Sequence, residues 1–287
     1  MLAKRMVLLF FRDRMNVFFS LLSTFIIIIL YVLFLGNLIE NDLERTLGFW
    51  SDQIRLTVAS VMLAGMVAVT STSACMGALG VAVTDRKDSG KDFYTSPVPR
   101  WKISLGYIAG AGMVGLIMTT LAIAIVHVYL IALGGSLPSA DGLRRLALTV
   151  VLSSLCANAM MYLAVMFIKT ENAYSGFTTV AGTLMGFVMG IYIPIGVLPE
   201  GVQWVARLFP MSHAAAMFRQ VIADGELTYM FLDAPPVYLE NFRLVYGVVY
   251  DFGGFVTDFW FSALMLVGYT VVFFAASVLV MRNRKSS

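Results

Sequence analysis

The side chains that could carry chemistry in this sequence are few, and their spacing does not suit catalysis. Gly90-Lys91 is followed by Asp92, and position 85 is Asp85 rather than glycine. A phosphate-binding loop needs Gly-x4-Gly-Lys-Ser/Thr so that its backbone amides can wrap the phosphates. ATP binding of that kind is excluded. His127 and His213 stand far apart and lack metal-ligand spacing. His213 opens a short helical pattern, where a capping or interface role is expected rather than catalysis. Cys75 and Cys156 both fall inside apolar runs, so they are expected as packing residues rather than as a disulfide framework. No cofactor or metal is expected in this chain.

What remains is chemistry of recognition. The segment Thr84–Lys102 reads Thr-Asp-Arg-Lys-Asp-Ser-Gly-Lys-Asp-Phe-Tyr-Thr-Ser-Pro-Val-Pro-Arg-Trp-Lys. Mixed charges such as Asp88 would set register in a partner's groove, and Phe93 and Tyr94 would anchor there. Pro97 and Pro99 would stiffen the exit. The alternative is a solvated connector. A second polar run, Thr70-Ser71-Thr72-Ser73, sits in the middle of an apolar stretch. Its hydroxyls either bond back to helix carbonyls as packing, or Thr70 and Thr72 line a transport path with Asn158 as a further polar handle. Asp, Glu, Lys and Arg are missing from the centre of every apolar run, which argues against a proton-coupled carrier.

The elements that must position these residues are membrane spans. The chain is 59% hydrophobic and 13% charged, against roughly 25% charged in soluble domains. Long uncharged runs predict six spans, at about Phe18–Ile39, Leu56–Val83, Ile103–Leu133, Leu146–Ile168, Gly176–Leu198 and Phe259–Met281. Gly106 and Gly110 in the third, and Gly182, Gly186 and Gly190 in the fifth, form small-residue ridges suited to close helix packing or to a dimer interface. With the N-terminus in the cytoplasm, inner segments hold 13 of the 20 Lys and Arg residues, and outer segments hold 12 of the 17 acids. That bias obeys the positive-inside rule; Arg144-Arg145 is a local exception. The net charge of +3 is too small to suggest nucleic-acid binding.

Leu2–Asn16 mixes apolar residues with Lys4, Arg5, Arg12 and Arg14, the pattern of an amphipathic helix on the inner membrane face. The longest polar-containing segment is Pro199–Asp258. It opens with Pro199 to Pro210 as a short helix bracketed by prolines, followed by Ser212–Ile222. Both are too short to span, which predicts a re-entrant hairpin held against protein or a wet cavity.

Two of these stretches carry a family likeness. Asp85-Arg-Lys-Asp-Ser-Gly-Lys with Thr95-Ser-Pro-Val-Pro-Arg-Trp-Lys-Ile resembles the loop between the second and third spans of ABC transporter type 2 permeases. Gly196-Val-Leu-Pro199-Glu-Gly-Val-Gln-Trp204-Val-Ala-Arg207-Leu-Phe-Pro210, with Phe218-Arg219, resembles that family's stretch after the fifth span. Phe209 stands where the family usually has Asn. Ala223–Gly254 looks longer than usual for the family, and nothing is carried over to it.

The resemblance implies an all-α integral membrane protein forming one permease domain over residues 1–287. It has an interfacial helix at 1–17, a cytoplasmic coupling loop at 84–102 and an outer re-entrant hairpin and loop at 199–258. It implies contact with an ATP-binding cassette ATPase through Asp88, Gly90, Phe93, Pro97 and Arg100, and an outer gate at Pro199, Trp204, Pro210 and Arg219. A second permease copy or homologue would complete the unit, and ATP and Mg would sit in the ATPase. The expectation is an exporter permease in a bacterial cell membrane, both termini cytoplasmic, moving a drug, lipid, peptide or glycan and itself no enzyme. A stand-alone channel or carrier would instead transport without an ATPase. An assembly or sensor protein would stimulate no ATP turnover.

Overall fold

A computed structural model gives the architecture and describes residues 2–36, 52–85 and 99–283. Among them the chain is helical, with one isolated antiparallel bridge between Asp251 and Val256. The helices are α1 (Leu2–Arg12), α2 (Arg14–Leu30), α3 (Asp52–Thr84), α4 (Arg100–Ala132), α5 (Ala140–Phe167) and α6 (Glu171–Val188). They continue with α7 (Glu200–Leu208), α8 (Pro210–Ile222), α9 (Asp224–Met230), α10 (Pro236–Val245) and α11 (Phe259–Asn283).

Four helices are long and apolar enough to cross a membrane: Gln53–Thr84, Trp101–Ala132, Ala140–Phe167 and Phe259–Arg282. They match the second, third, fourth and sixth expected spans. At 1.5 Å per residue a 32-residue helix reaches roughly 48 Å, beyond a hydrocarbon layer of about 30 Å. The two longest must therefore tilt or project. The most hydrophobic stretch of α3 is 78% buried within the chain, whereas that of α11 is only 11% buried. So α3 is the central rod of the bundle, and α11 turns most of its surface outward.

Local signals set several boundaries. Asp13 interrupts the N-terminal segment: its Oδ1 accepts the amides of Met15 and Asn16 at 3.1 and 3.2 Å. The amphipathic helix expected over Leu2–Asn16 therefore ends at Arg12, and Arg14 already belongs to α2. A wider helical turn over Tyr31–Leu35 extends α2. Ser139 Oγ caps α5 by accepting Gly142 N–H at 3.1 Å, and Thr170 Oγ1 caps α6 by accepting Ala173 N–H at 3.2 Å. The fifth expected span, Gly176–Leu198, differs from the helix observed. α6 starts at Glu171 because of its cap and stops at Val188. Beyond it Gly190 takes φ +65°, a left-handed turn that glycine adopts without steric cost. Gly190 thus lies outside the helix and cannot extend a glycine ridge.

The core is built where small residues let helices close. Cys75 Sγ fills the joint of α3, α4 and α5, where a Cβ on Gly115 would come within 2.6 Å of it. Cys75 and Cys156 are both free and buried. α8 is nearly all buried, from Pro210 to Ile222 with only Gln220 partly exposed, although it carries Ser212, His213 and Arg219. It packs between α3, α5 and α11.

Candidate functional site

The site begins with α1. Leu2, Met6 and Phe10 recur at four-residue spacing, so they share one face of the helix. Cβ atoms added to Gly106 and Gly110 would lie 2.5 and 2.7 Å from the Leu2 and Met6 side chains, and one on Gly77 would lie 3.2 Å from Phe10. The Gly106/Gly110 ridge of α4 is therefore the seat of α1. Met6 and Phe10 are buried there, while Leu8 and Phe11 on other faces stay exposed.

Arg5 flanks this apolar face and reaches the end of α3. Its Nη1 donates to Asp85 Oδ2 at 2.7 Å and its Nη2 donates to Oδ1 at 3.2 Å, a two-pronged pair. Tyr107 of α4 donates its hydroxyl to the same Oδ2 at 2.8 Å. The Asp85 side chain is 4% exposed and that of Arg5 33%. The hydrogen bond to Asp85 holds the Arg5 guanidinium above its ordinary pKa, so this cation stays charged at any working pH. One carboxylate thus ties three helices at the mouth of the segment that contains the expected coupling residues.

Of those residues, Asp88, Gly90, Phe93, Tyr94 and Pro97 lie outside the described residues. Arg100 opens α4, directly after Pro99, whose ψ of 136° gives the extended entry. Arg5 and Tyr107 were not singled out from sequence. Their only signal was a cation beside an apolar helix face, and no spacing rule links position 5 to position 85.

The second group surrounds the α7–α8 hairpin. Pro199 precedes α7, Phe209 makes the corner, and Pro210 opens α8 where its missing N–H costs nothing. Trp204 lies under the Arg207 guanidinium at 5.0 Å and meets the Phe252 ring edge-on at 6.1 Å. His213 Nε2 donates to the Arg207 carbonyl at 2.9 Å, while Nδ1 faces Ser262 Oγ at 3.3 Å. Since a carbonyl only accepts, the proton sits on Nε2 and Ser262 donates to Nδ1. Burial pushes the His213 pKa down to about 4, leaving a neutral ring.

Arg219 has no exposed surface. Its Nε donates to Val61 O at 3.3 Å and its Nη1 to Gly247 O at 3.2 Å. Nη2 donates to Met189 O at 2.9 Å and Gly190 O at 3.1 Å. No carboxylate pairs with it among the described residues. Carbonyl dipoles, two of them just past the negative C-terminal end of α6, compensate the charge. Gly65 makes the room: a Cβ there would stand 2.4 Å from Nη2.

The polar residues at mid-helix are inside the protomer. Thr70 and Thr72 are fully buried and donate back to Met66 O and Ala68 O at 3.4 and 3.0 Å. Asn158 Nδ2 donates to Ile108 O at 2.7 Å, and its Oδ1 has no partner among the described residues. A different hydroxyl row faces outward. Ser175, Thr179 and Thr183 of α6 lie one turn apart and are exposed. Thr179 donates to Ser175 O at 2.9 Å and Thr183 to Thr179 O at 3.0 Å. The opposite face of α6 is fixed to α3, where the Tyr174 hydroxyl meets Met76 O and its ring covers Gly80.

A bundle of long apolar helices, an amphipathic helix clamped to the end of α3 and a short helical hairpin whose second arm is buried make up a multi-pass membrane protein. The model of the ABC-2 type transporter family matches residues 1–223. The chain belongs to that family, as a permease subunit of an ABC transporter. None of the curated proteins compared matches it. The family match ends where α8 ends, so α9, α10 and α11 lie beyond it.

Proposed function

We propose that this chain is the membrane-spanning subunit of an ATP-driven exporter, working with a separate cassette ATPase and a second permease copy or homologue. Family membership implies a partner ATPase of the ABC class in general. The observation that carries the coupling role is the Arg5–Asp85–Tyr107 clamp. A partner gripping the loop after Asp85 pulls at once on α1, α3 and α4. In this reading Asp88, Gly90, Phe93, Tyr94, Pro97 and Arg100 receive the ATPase. α2 with its extension and α6 complete six spans, and both termini face the cytoplasm of a bacterial cell.

The hairpin around Pro199, Trp204, Pro210 and Arg219 forms the outer gate as a re-entrant element. The path wall is the outward hydroxyl face of α6 rather than Thr70, Thr72 and Asn158, which the protomer encloses. Intrahelical hydrogen bonds satisfy these hydroxyls, so the face is weakly polar and suits amphiphilic cargo of drug, lipid, peptide or glycan type.

The test is co-purification with a cassette ATPase, sought first in the reading frames adjacent to that of this chain, followed by ATP turnover in nanodiscs. The permease alone should hydrolyse no ATP, and the pair should. Replacing Phe93 and Tyr94 with alanine should abolish ATPase retention while membrane insertion persists. Undiminished retention of the double variant refutes the docking assignment.

A further inference from the structure

At the end of the bundle where α5 and α11 begin lies a cavity of about 580 Å³, within the range of small-ligand sites. Its charged lining is Arg145 and Arg243 on one side of the ledger and Asp224, Glu240 and Asp258 on the other, with Trp260 at the rim. Of these six, only Arg145 falls within the residues matched by the family, so the family pattern assigns the cavity nothing.

The charges are not equally committed. Arg145 holds Asp141 at 2.9 Å, with its guanidinium 5.5 Å above the Phe259 ring. Arg243 is 3.9 Å from Asp224, a separation at which a stronger acceptor displaces the carboxylate. Asp258 Oδ1 accepts Phe261 N–H at 2.7 Å and caps α11. Glu240 has neither an ion pair nor a hydrogen bond among the described residues.

A purely anionic ligand would meet three carboxylates here, and a purely cationic one would meet two guanidiniums. A ligand carrying both signs satisfies both sides. The Arg fork matches phosphate geometry, and Glu240 matches an ammonium. Position adds a source. Trp260 is 61% exposed at the start of α11, and tryptophans at span ends mark the headgroup level of a bilayer.

We propose that this cavity binds a zwitterionic aminophosphate group of the phosphoethanolamine kind, phosphate toward Arg145 and Arg243 and ammonium toward Glu240. The proposal rests on the membrane placement given under the proposed function, which puts the cavity at the outer surface. Either an outer-leaflet lipid headgroup or a soluble aminophosphate ester carries this chemistry.

The experiment is native mass spectrometry of the purified permease after equilibration with equal amounts of phosphatidylethanolamine and phosphatidylglycerol of identical chains. Wild type should retain the ethanolamine lipid about tenfold over the glycerol lipid, the size of a charged hydrogen bond. Glu240→Gln should abolish that preference. Arg243→Gln should lower retention of both lipids by a similar factor. Both residues are exposed enough for folding to survive, and the exposed Tyr229→Ala, which does not line the cavity, should bind like wild type.

Glycerophosphoethanolamine added at millimolar concentration separates the sources. Displacement of the lipid assigns the soluble ester, and resistance assigns the lipid; both support the aminophosphate site. Equal retention of the two lipids by wild type, or an unchanged preference in Glu240→Gln, overturns it. No ATPase enters this measurement, so failed co-purification would sink the exporter reading and leave the lipid result standing.

Discussion

Removing Arg5 should release α1 from the elbow. Arg5→Ala deletes two charge-assisted hydrogen bonds, at 2.7 and 3.2 Å, to the Asp85 carboxylate, which is 4% exposed in the intact pair, with Tyr107 still donating. Stranding one partner of a fully buried ion pair costs about 3–5 kcal/mol. Arg5 is a third exposed, so water screens the pair and enters after truncation, which brings the expectation to about 2 kcal/mol. Asp85→Asn in the Arg5→Ala background removes the carboxylate charge that Arg5 offset and should recover roughly half of that.

Because α1 is a single short helix seated on glycines, the loss falls on local opening rather than global unfolding. Amide hydrogen exchange of α1 in nanodiscs should accelerate about 30-fold in Arg5→Ala, with exchange in α5 unchanged. Cargo-stimulated ATP turnover of the complex should fall in parallel. Unaltered α1 exchange in the variant would refute the clamp. Altered exchange with full turnover would show that the clamp is structural only.

Further outcomes follow from the packing elsewhere in the bundle. Gly110→Leu should displace α1 from α4, since even a Cβ would stand 2.7 Å from Met6 Sδ, and should lose about 2 kcal/mol. Gly176→Ala, whose Cβ meets nothing within 4 Å, should raise or preserve the melting temperature; scanning fluorimetry compares them. His213, with its pKa lowered to about 4, is neutral when folded and takes a proton below about 6.5 when unfolded. Its contribution is therefore complete above that pH and falls as pH drops toward 4, by about 2 kcal/mol at pH 5. Exchange of α8 amides, corrected for intrinsic rates, should rise between pH 7.5 and 5 in wild type and not in His213→Asn.

Legibility from sequence followed the range of the forces. The second, third, fourth and sixth spans were readable because an uncharged helical run carries its own reason to sit in lipid. Gly106 and Gly110 were readable as a packing ridge, yet their partner, α1, was not, because that contact joins residues about a hundred positions apart. The early stop of α6 turned on Gly190, which looked like the last member of a small-residue ridge rather than a left-handed turn. Arg219 was noticed as part of a motif, but its carbonyl cage depends on backbone from three separate stretches, at Val61, Met189-Gly190 and Gly247. Thr70-Ser71-Thr72-Ser73 was read either as hydroxyls satisfied within their own helix or as a weakly polar path wall, because four hydroxyls cluster there. Thr70, Ser71 and Thr72 are buried inside the protomer, and the sparser row at 175, 179 and 183 faces out.

The two ends of the candidate machinery share one helix. α3 carries Asp85 at one end and, in its first third, the Val61 carbonyl that accepts Arg219. Continuous helix runs from Val61 to Thr84, the residue before Asp85, a rigid span of about 35 Å. A displacement of the elbow therefore reaches the hairpin without any intermediate loop, provided that both joints hold. Gly65→Ala tests the far joint alone. Its Cβ would sit 2.4 Å from Arg219 Nη2 and 2.7 Å from Cζ, and the guanidinium cannot retreat without leaving carbonyls that have no water to replace it. The variant should keep its ATPase bound, because the elbow is untouched. The change in α8 amide exchange that ATP produces in the wild-type complex should shrink several-fold. If α8 responds to ATP in Gly65→Ala as it does in wild type, α3 is not the transmitting rod.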